Sequence, residues 1–163
     1  MQSVPQTSPP DPAPDPDAAR KGWMSLLAKA PAARLAALWE GSGLADETAG
    51  HEWLRRPECG AVMLRGRAGA VGAPFNLGEM TVTRGSLRLA SGEVGHAWVQ
   101  GRDKRKATVA ALADALMQTG AAARVEAAIL EPLREEAEAR ATARAARAAA
   151  TKVEFFTLVR GED

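Results

Sequence analysis

Helical sequence patterns stand on both sides of a β-type middle in this 163-residue chain. Leu35, Leu38 and Trp39 repeat at helical spacing before it, and Val109 and Leu112 do so after it. In the middle, short apolar runs are separated by Gly and Pro turns, which is typical of hairpins. We therefore predict an α+β fold, with a mainly antiparallel sheet of about four to five strands flanked by N-terminal and C-terminal helices.

Four helical segments are predicted, at 17–29, 31–41, 103–118 and 121–150. Asp17 and Asp103 are suitable N-caps, and Pro31 suits the first turn of a helix because its missing N–H costs nothing there. Pro132 lies inside the last segment and is expected to break or kink it.

Five strands are predicted, at 51–56, 61–67, 80–90, 94–100 and 152–159. The first two are expected to be joined by a turn at Pro57-Glu58-Cys59-Gly60, and Ser91-Gly92-Glu93 predicts a hairpin. The apolar positions change parity across Gly85, which predicts a bulge or bend there. The last strand is apolar on both faces, as in the interior of a sheet or an interface.

Composition divides the chain into a leader and one domain. Residues 1–19 hold six of the ten prolines and no cation, so we expect a disordered or extended leader. Residues 20–163 are long enough for a single α+β domain.

Charge and cysteine content exclude several classes of protein. Lys plus Arg is 21 and Asp plus Glu is 20, a net charge of +1, which is a poor basis for binding nucleic acid. A single cysteine, Cys59, cannot form an internal disulfide. No apolar run approaches a membrane span, and the first ten residues lack the pattern of a signal peptide. We expect a cytoplasmic protein with no nucleic-acid or membrane partner.

Residues with catalytic or metal-binding chemistry are scarce. His51 and His96 are 45 residues apart, and neither belongs to an HExxH or CxxC pattern. Cys59 lies in no recognised nucleophile motif. We therefore predict no catalytic residue, no metal site and no cofactor in this chain.

Arginines near glycines are the candidates for anion binding. Arg65 and Arg67 open a glycine-spaced segment, Arg65–Glu79, whose free amides would suit a phosphate. Arg84 lies in the following strand, and Arg102 precedes the helix that starts near Asp103. A glycine-rich turn between strands and an ordinary capped helix explain the same residues, and both alternatives stay open.

Several segments, taken in order, resemble one family. They are Trp23-Met24 with Leu26-Leu27-Ala28, Arg65–Glu79 with its PFNLGE, Thr81-Val82-Thr83-Arg84, Trp98–Lys104, Asp114–Gln118, Pro132-Leu133, and FFTLVRGED from Phe155. Together they are similar to the G subunit of the bacterial carbon–phosphorus lyase core complex, over roughly residues 20–163. The proline-rich leader is outside the resemblance.

The resemblance implies a function in phosphonate breakdown. The family acts in a complex with H, I and J subunits. The resemblance implies a role in the step in which a phosphonate displaces adenine from ATP, which is attributed mainly to the I subunit with support from G, H and an ATP-binding-cassette protein; cleavage of the carbon–phosphorus bond belongs to the J subunit. ATP and phosphonate are then substrates of the complex. The resemblance transfers no catalytic residue to this chain.

Two hypotheses about the chain's part in such a complex follow. In the first it is a non-catalytic subunit whose interface includes Trp23, Phe155, Phe156 and Arg160. In the alternative it binds the triphosphate or phosphonate directly through its arginines and glycine-rich loop. A stand-alone regulatory or nucleic-acid-binding module is the third hypothesis, disfavoured by the near-neutral charge.

Overall fold

A computed structural model describes residues 17–69 and 71–151. Its helices are α1 (Ala18–Lys29), α2 (Ala32–Gly41), α3 (Lys104–Leu116), α4 (Ala122–Val125) and α5 (Glu131–Ala150). Its strands are β1 (Glu52–Arg67), β2 (Pro74–Arg88) and β3 (Val94–Gln100). A 3₁₀ turn at Asp46–Thr48 precedes β1, and a π turn at Glu126–Leu130 joins α4 to α5. None of the helices in these residues is both long and apolar enough to cross a bilayer.

The helix starts follow the sequence signals. The Asp103 side chain accepts a hydrogen bond from the backbone N–H of Lys106 at 2.8 Å, which confirms the predicted N-cap of α3. Pro31 immediately precedes α2 in extended conformation. α1 begins directly after Asp17, at the expected position, but the Asp17 side chain makes no capping hydrogen bond to the helix.

The irregularity expected at Pro132 is present, and it lies just before the proline, which stands in the first turn of α5. Helical structure continues through it, and the irregularity is the π turn Glu126–Leu130 just before it. A proline ring collides with the carbonyl four residues earlier and cannot donate a hydrogen bond to it. The wider π turn removes this conflict without ending the helix.

The α+β class and the antiparallel sheet are confirmed. The strand order is β1-β2-β3, and both neighbouring pairs are antiparallel. The described residues contain three strands, fewer than the four to five expected, because the segments 51–56 and 61–67 belong to one strand, β1. The strand predicted at 152–159 lies outside the described residues.

The turn expected at Pro57–Gly60 is therefore wrong. Arg55 pairs with Ser86 and Glu58 with Arg84, so β1 carries an extra residue opposite Gly85. β1 is an edge strand, and a bulge on an edge accommodates a proline that cannot donate to the ladder. A bulge was predicted in β2 at Gly85. The bulge exists at this level of the sheet, but its extra residue belongs to β1, and the pairing of β2 with β3 continues through Gly85 without a shift.

The core forms where α3 packs on β3 and β2. Ten of the thirteen residues of α3 are buried, so this alanine-rich helix is enclosed almost all round. Gly95 of β3 permits the close approach, because a Cβ there would lie 1.9 Å from the carbonyl oxygen of Ala111. Alanine and glycine thus bring helix and sheet nearer than larger side chains would allow.

A buried carboxylate connects three elements of the fold. Asp114 of α3 is fully buried and accepts four hydrogen bonds. Arg20 of α1 donates from Nε at 3.1 Å and from Nη2 at 2.7 Å, and the Trp23 indole donates at 2.8 Å. The fourth donor is the backbone N–H of His96 in β3, at 2.8 Å. Asp114 therefore holds α1, α3 and the edge of β3 together.

We expect Asp114→Ala to lower the free energy of unfolding by about 3–5 kcal/mol, because it leaves the Arg20 charge and the Trp23 N–H without their partner. Urea denaturation measures this loss. The control is Glu136→Ala, which breaks the exposed pair with Arg34 (2.6 Å) and is expected to cost less than about 1 kcal/mol. Equal losses in the two variants would contradict the central place of Asp114.

We also expect Gly95→Ala to destabilise the protein by at least about 1–3 kcal/mol, because the new methyl group overlaps backbone atoms of α3. Gly85→Ala is the matched control: its Cβ would meet its nearest neighbours at 3.5 Å, an ordinary contact distance. Thermal unfolding of both variants compares the two sites, and similar melting temperatures would refute the close-packing interpretation.

Candidate functional site

The outer ends of β1 and β2 form a two-stranded projection. β3 pairs only with Val82–Arg88 of β2, so the residues beyond have no third strand. We call residues 61–69 and 71–81 the arm; none of them is buried. Two candidate residues, Arg65 and Arg67, lie on it, paired with Asn76 and Pro74.

The glycine-spaced segment is mostly strand, and only residues 68–73 connect β1 to β2. Within this connection the Val71 N–H donates to the Gly69 carbonyl at 2.8 Å, and the Gly72 N–H donates to the Ala68 carbonyl at 3.0 Å. Arg67 donates to the carbonyl of Gly72 at 3.1 Å. These amides already have acceptors within the turn, so the geometry favours the glycine-rich turn over an anion nest.

Arg84 lies on the face of the sheet away from α3, in contact with two other side chains. Its Nε donates to Glu58 at 2.9 Å, and its guanidinium carbon lies 5.5 Å from the centre of the Trp98 ring. Arg55 donates to the same Glu58 oxygen at 2.6 Å. Hydrogen bonds from Arg55 and then Arg84 lower the pKa of the Glu58 carboxyl, so Glu58 is ionised and the charge of Arg84 is already paired.

Arg102 lies in the turn between β3 and α3. The preceding residue, Gly101, has a φ of 92°, and its carbonyl accepts a hydrogen bond from Thr83 Oγ1 at 2.7 Å. The Arg102 carbonyl lies 3.8 Å from Cys59 Sγ. Within the described residues the Arg102 side chain forms no ion pair.

The four candidate arginines do not all lie in one place. Glu58, the partner of Arg84, is seven positions from Arg65 along β1, which corresponds to roughly 24 Å at about 3.4 Å per residue. Arg65 and Arg67 therefore lie at one end of the long hairpin, and Arg84 lies at the other. Anion binding by any of them stays a prediction.

The interface residues predicted from the sequence fall in two regions. Trp23 is half-buried; its indole N–H is bonded to Asp114, and it lines a groove between α1 and α5 with Leu26 and Met117. Phe155, Phe156 and Arg160 lie outside the described residues.

The histidines and the cysteine have ordinary surroundings. His51 Nδ1 is 2.9 Å from the Thr48 carbonyl, and its ring packs edge-on against Trp53. His96 is exposed on β3, and Cys59 Sγ lies 3.6 Å from Thr83 Oγ1. Between residues 17 and 151, Ala70 apart, no three His, Cys, Asp or Glu side chains are grouped so as to hold a metal ion.

Sequence reasoning missed the Arg20–Asp114 pair. A signal was present, because Asp114 stands alone among apolar residues in Ala110–Leu116, where a buried acid needs a partner. The identity of that partner, 94 positions away, has no local signal.

We expect Arg84→Gln to raise the pKa of Glu58, because it removes one of two cationic donors. In the wild type the lowered pKa means that these contacts stabilise the fold above the unfolded-state pKa of Glu58. That stabilisation is lost as the pH falls through the folded-state pKa. Carboxyl NMR titration measures the shift. Arg88→Gln, on the same strand, is the control, and an unchanged Glu58 pKa in Arg84→Gln would contradict the pairing.

Comparison with known proteins agrees with the resemblance. Residues 18–161 match the family model described as phosphonate metabolism protein PhnG. A curated relative from Rhizobium meliloti (strain 1021) is 45% identical over 150 residues, which cover 90% of this chain and 92% of the relative. That relative is named alpha-D-ribose 1-methylphosphonate 5-triphosphate synthase subunit PhnG. The match extends over nearly all of the chain, and the chain belongs to the phosphonate metabolism protein PhnG family.

Proposed function

We propose that this chain is a subunit of the cytoplasmic complex that makes alpha-D-ribose 1-methylphosphonate 5-triphosphate. The observation that carries the proposal is the 45% identity, over 90% of the chain, to a protein named as a subunit of that synthase. In the reaction a phosphonate oxygen bonds to C1 of the ribose of ATP, the glycosidic C–N bond breaks, and adenine leaves.

Within this complex the chain's part is structural. Its fully buried carboxylate, Asp114, is occupied by Arg20, Trp23 and the His96 N–H, and Glu58 is occupied by two arginines. Asp114 is therefore closed to solvent and to a substrate, and the exposed Glu58 is already paired with Arg55 and Arg84. At the same time, large apolar side chains are exposed along the arm, as in a chain that is covered by partners.

The proposed partners are the H, I and J subunits of the carbon–phosphorus lyase core complex and the ATP-binding-cassette protein of the same pathway. ATP and phosphonate are bound by the complex, and this chain contributes contact area and no cofactor. The groove beside Trp23 and the C-terminal segment with Phe155, Phe156 and Arg160 belong to the proposed interface.

The proposal is tested by co-expressing the chain with the H, I and J subunits and purifying it by an affinity tag. We expect the four subunits in fixed ratio. With the ATP-binding-cassette protein added, we expect adenine release from ATP and methylphosphonate by the complex but not by the chain alone. Purification of the tagged chain without the other three subunits would contradict the proposal. Triphosphate binding by the isolated chain, lost in Arg65→Ala/Arg67→Ala, would favour direct substrate binding instead.

We expect Phe155→Ala/Phe156→Ala to reduce the amount of chain recovered with its partners at least tenfold, because aromatic anchors dominate interface energies. Thr157→Ala in the same segment is the control. The melting temperature of the chain alone is compared in parallel. Full retention of partners together with lost solubility would show that the two rings serve the fold and not assembly.

A further inference from the structure

The arm is a long hairpin without the support that a hairpin needs. It lacks a third strand, and none of its described residues is buried. Two-stranded hairpins by themselves are marginally stable in water. An arm of this length is therefore incompletely stabilised in the isolated chain.

One face of the arm carries an apolar surface that continues onto Trp98 of β3, and we call this surface the outer stripe. Its members are Val62, Leu64, Phe75, Leu77, Met80 and Trp98. The register places them together: Val62 pairs with Met80, and Phe75 pairs with Gly66, two positions beyond Leu64 on the same side. Leu64, Phe75, Leu77 and Trp98 are each between 41% and 64% exposed.

Gly66 shows how the stripe is kept continuous. A register shift follows Leu64, so Leu77 is the extra residue of β2. A Cβ on Gly66 would lie 2.2 Å from Leu77 Cδ1, so the leucine side chain lies directly over this glycine. The bulge thus turns Leu77 onto the face of Leu64 and Phe75.

The other side of the arm is also exposed, and it carries Arg65 and Arg67 together with Glu79, which pairs with Met63. Met63 is 52% exposed, and Val71 at the tip is 93% exposed. Arg65 forms no ion pair with any described residue, whereas Arg84 at the base of the hairpin does. Arg65 therefore has its charge available for a carboxylate of another protein whose surface is otherwise apolar.

Area distinguishes between possible occupants. The outer stripe follows β2 from Phe75 to Arg84, about 30 Å, and two strands are about 10 Å wide, which gives roughly 300 Å². A second copy packed on this face alone would cover much less than the roughly 800 Å² per partner of a standard interface. The arm itself is about 20 Å long on β2, from Phe75 to Thr81, so a cleft that encloses both faces, the edges and the tip covers on the order of 600 Å², about twice the area of the outer stripe.

We propose that the arm inserts into a cleft of a different subunit, with apolar walls against the outer stripe and a carboxylate facing Arg65. This inference rests on the proposed function, which supplies the other subunits. The partner subunit then buries the apolar side chains of the arm, which the chain's own sheet leaves exposed.

The test uses the full chain co-expressed with the H, I and J subunits. We expect Leu64→Asp and Leu77→Asp each to reduce co-purification at least tenfold. Leu54→Asp is the matched control: Leu54 is 45% exposed on the same strand but lies at the base, outside the arm, and its variant is expected to assemble normally. Since the arm has no buried residues, the isolated variants are expected to keep the wild-type circular dichroism spectrum.

A photo-crosslinking residue in place of Phe75 identifies the occupant. A cross-link to another subunit of the assembled complex supports the proposal. A cross-link to a second copy of this chain, or none, overturns it, as does normal assembly of both aspartate variants. If the wild-type chain itself fails to assemble with the three subunits, the proposed function fails and this inference fails with it.

Discussion

The fold depends on one buried carboxylate. Asp114 enters the core on α3, a helix whose other buried residues are mostly alanines with little surface to contribute. Its two oxygens accept hydrogen bonds from Arg20, Trp23 and the backbone of His96. Such a group is costly to bury without partners and rigid once it has them. The positions of α1 and of the edge of β3 relative to α3 follow from this requirement.

The hydrogen bond from β3 to Asp114 depends on the close packing of α3 on the sheet. Small residues on the helix and Gly95 on β3 bring the backbones together, so that the His96 N–H reaches Asp114 at 2.8 Å. Hydrophobic burial and hydrogen bonding are thus concentrated at one end of the sheet. The other end, beyond the last pairing of β2 with β3, has no third strand, and among the described residues the end of α1 lies beside its base, near Val62 and Met80.

This asymmetry connects the fold to the proposed function. A protein that acted alone would expose less apolar surface if β1 and β2 were shorter or were covered by another element. Here the two strands extend to Arg67 and Pro74 with leucine, phenylalanine and methionine exposed. For a subunit of a synthase complex, the same surface is where association gains free energy. In the proposed function the substrate chemistry is carried by other subunits. The arginines that suggested an anion site are spread over the arm (Arg65, Arg67), the base of the hairpin (Arg84) and the turn before α3 (Arg102).

Much of the architecture was predictable because its signals are local. The N-cap at Asp103, the hairpin at Ser91–Glu93 and the helical periods depend on neighbouring residues alone, and they are confirmed. The family was predictable too, because ordered segments such as PFNLGE are specific in combination. The turn predicted at Pro57 was wrong, because a proline requires a turn only where the strand has no other way to accommodate it. A bulge accommodated Pro57, and a π turn accommodated Pro132.

The sequence by itself determined the α+β class, the helix starts and the kinship. Only the tertiary structure decided that 52–67 is a single strand, that Asp114 pairs with Arg20 across 94 positions, and that the arm is left bare. The physical reason is distance along the chain. Strand register and burial depend on contacts between segments that are far apart in the sequence, and the residues next to a given position do not indicate those contacts.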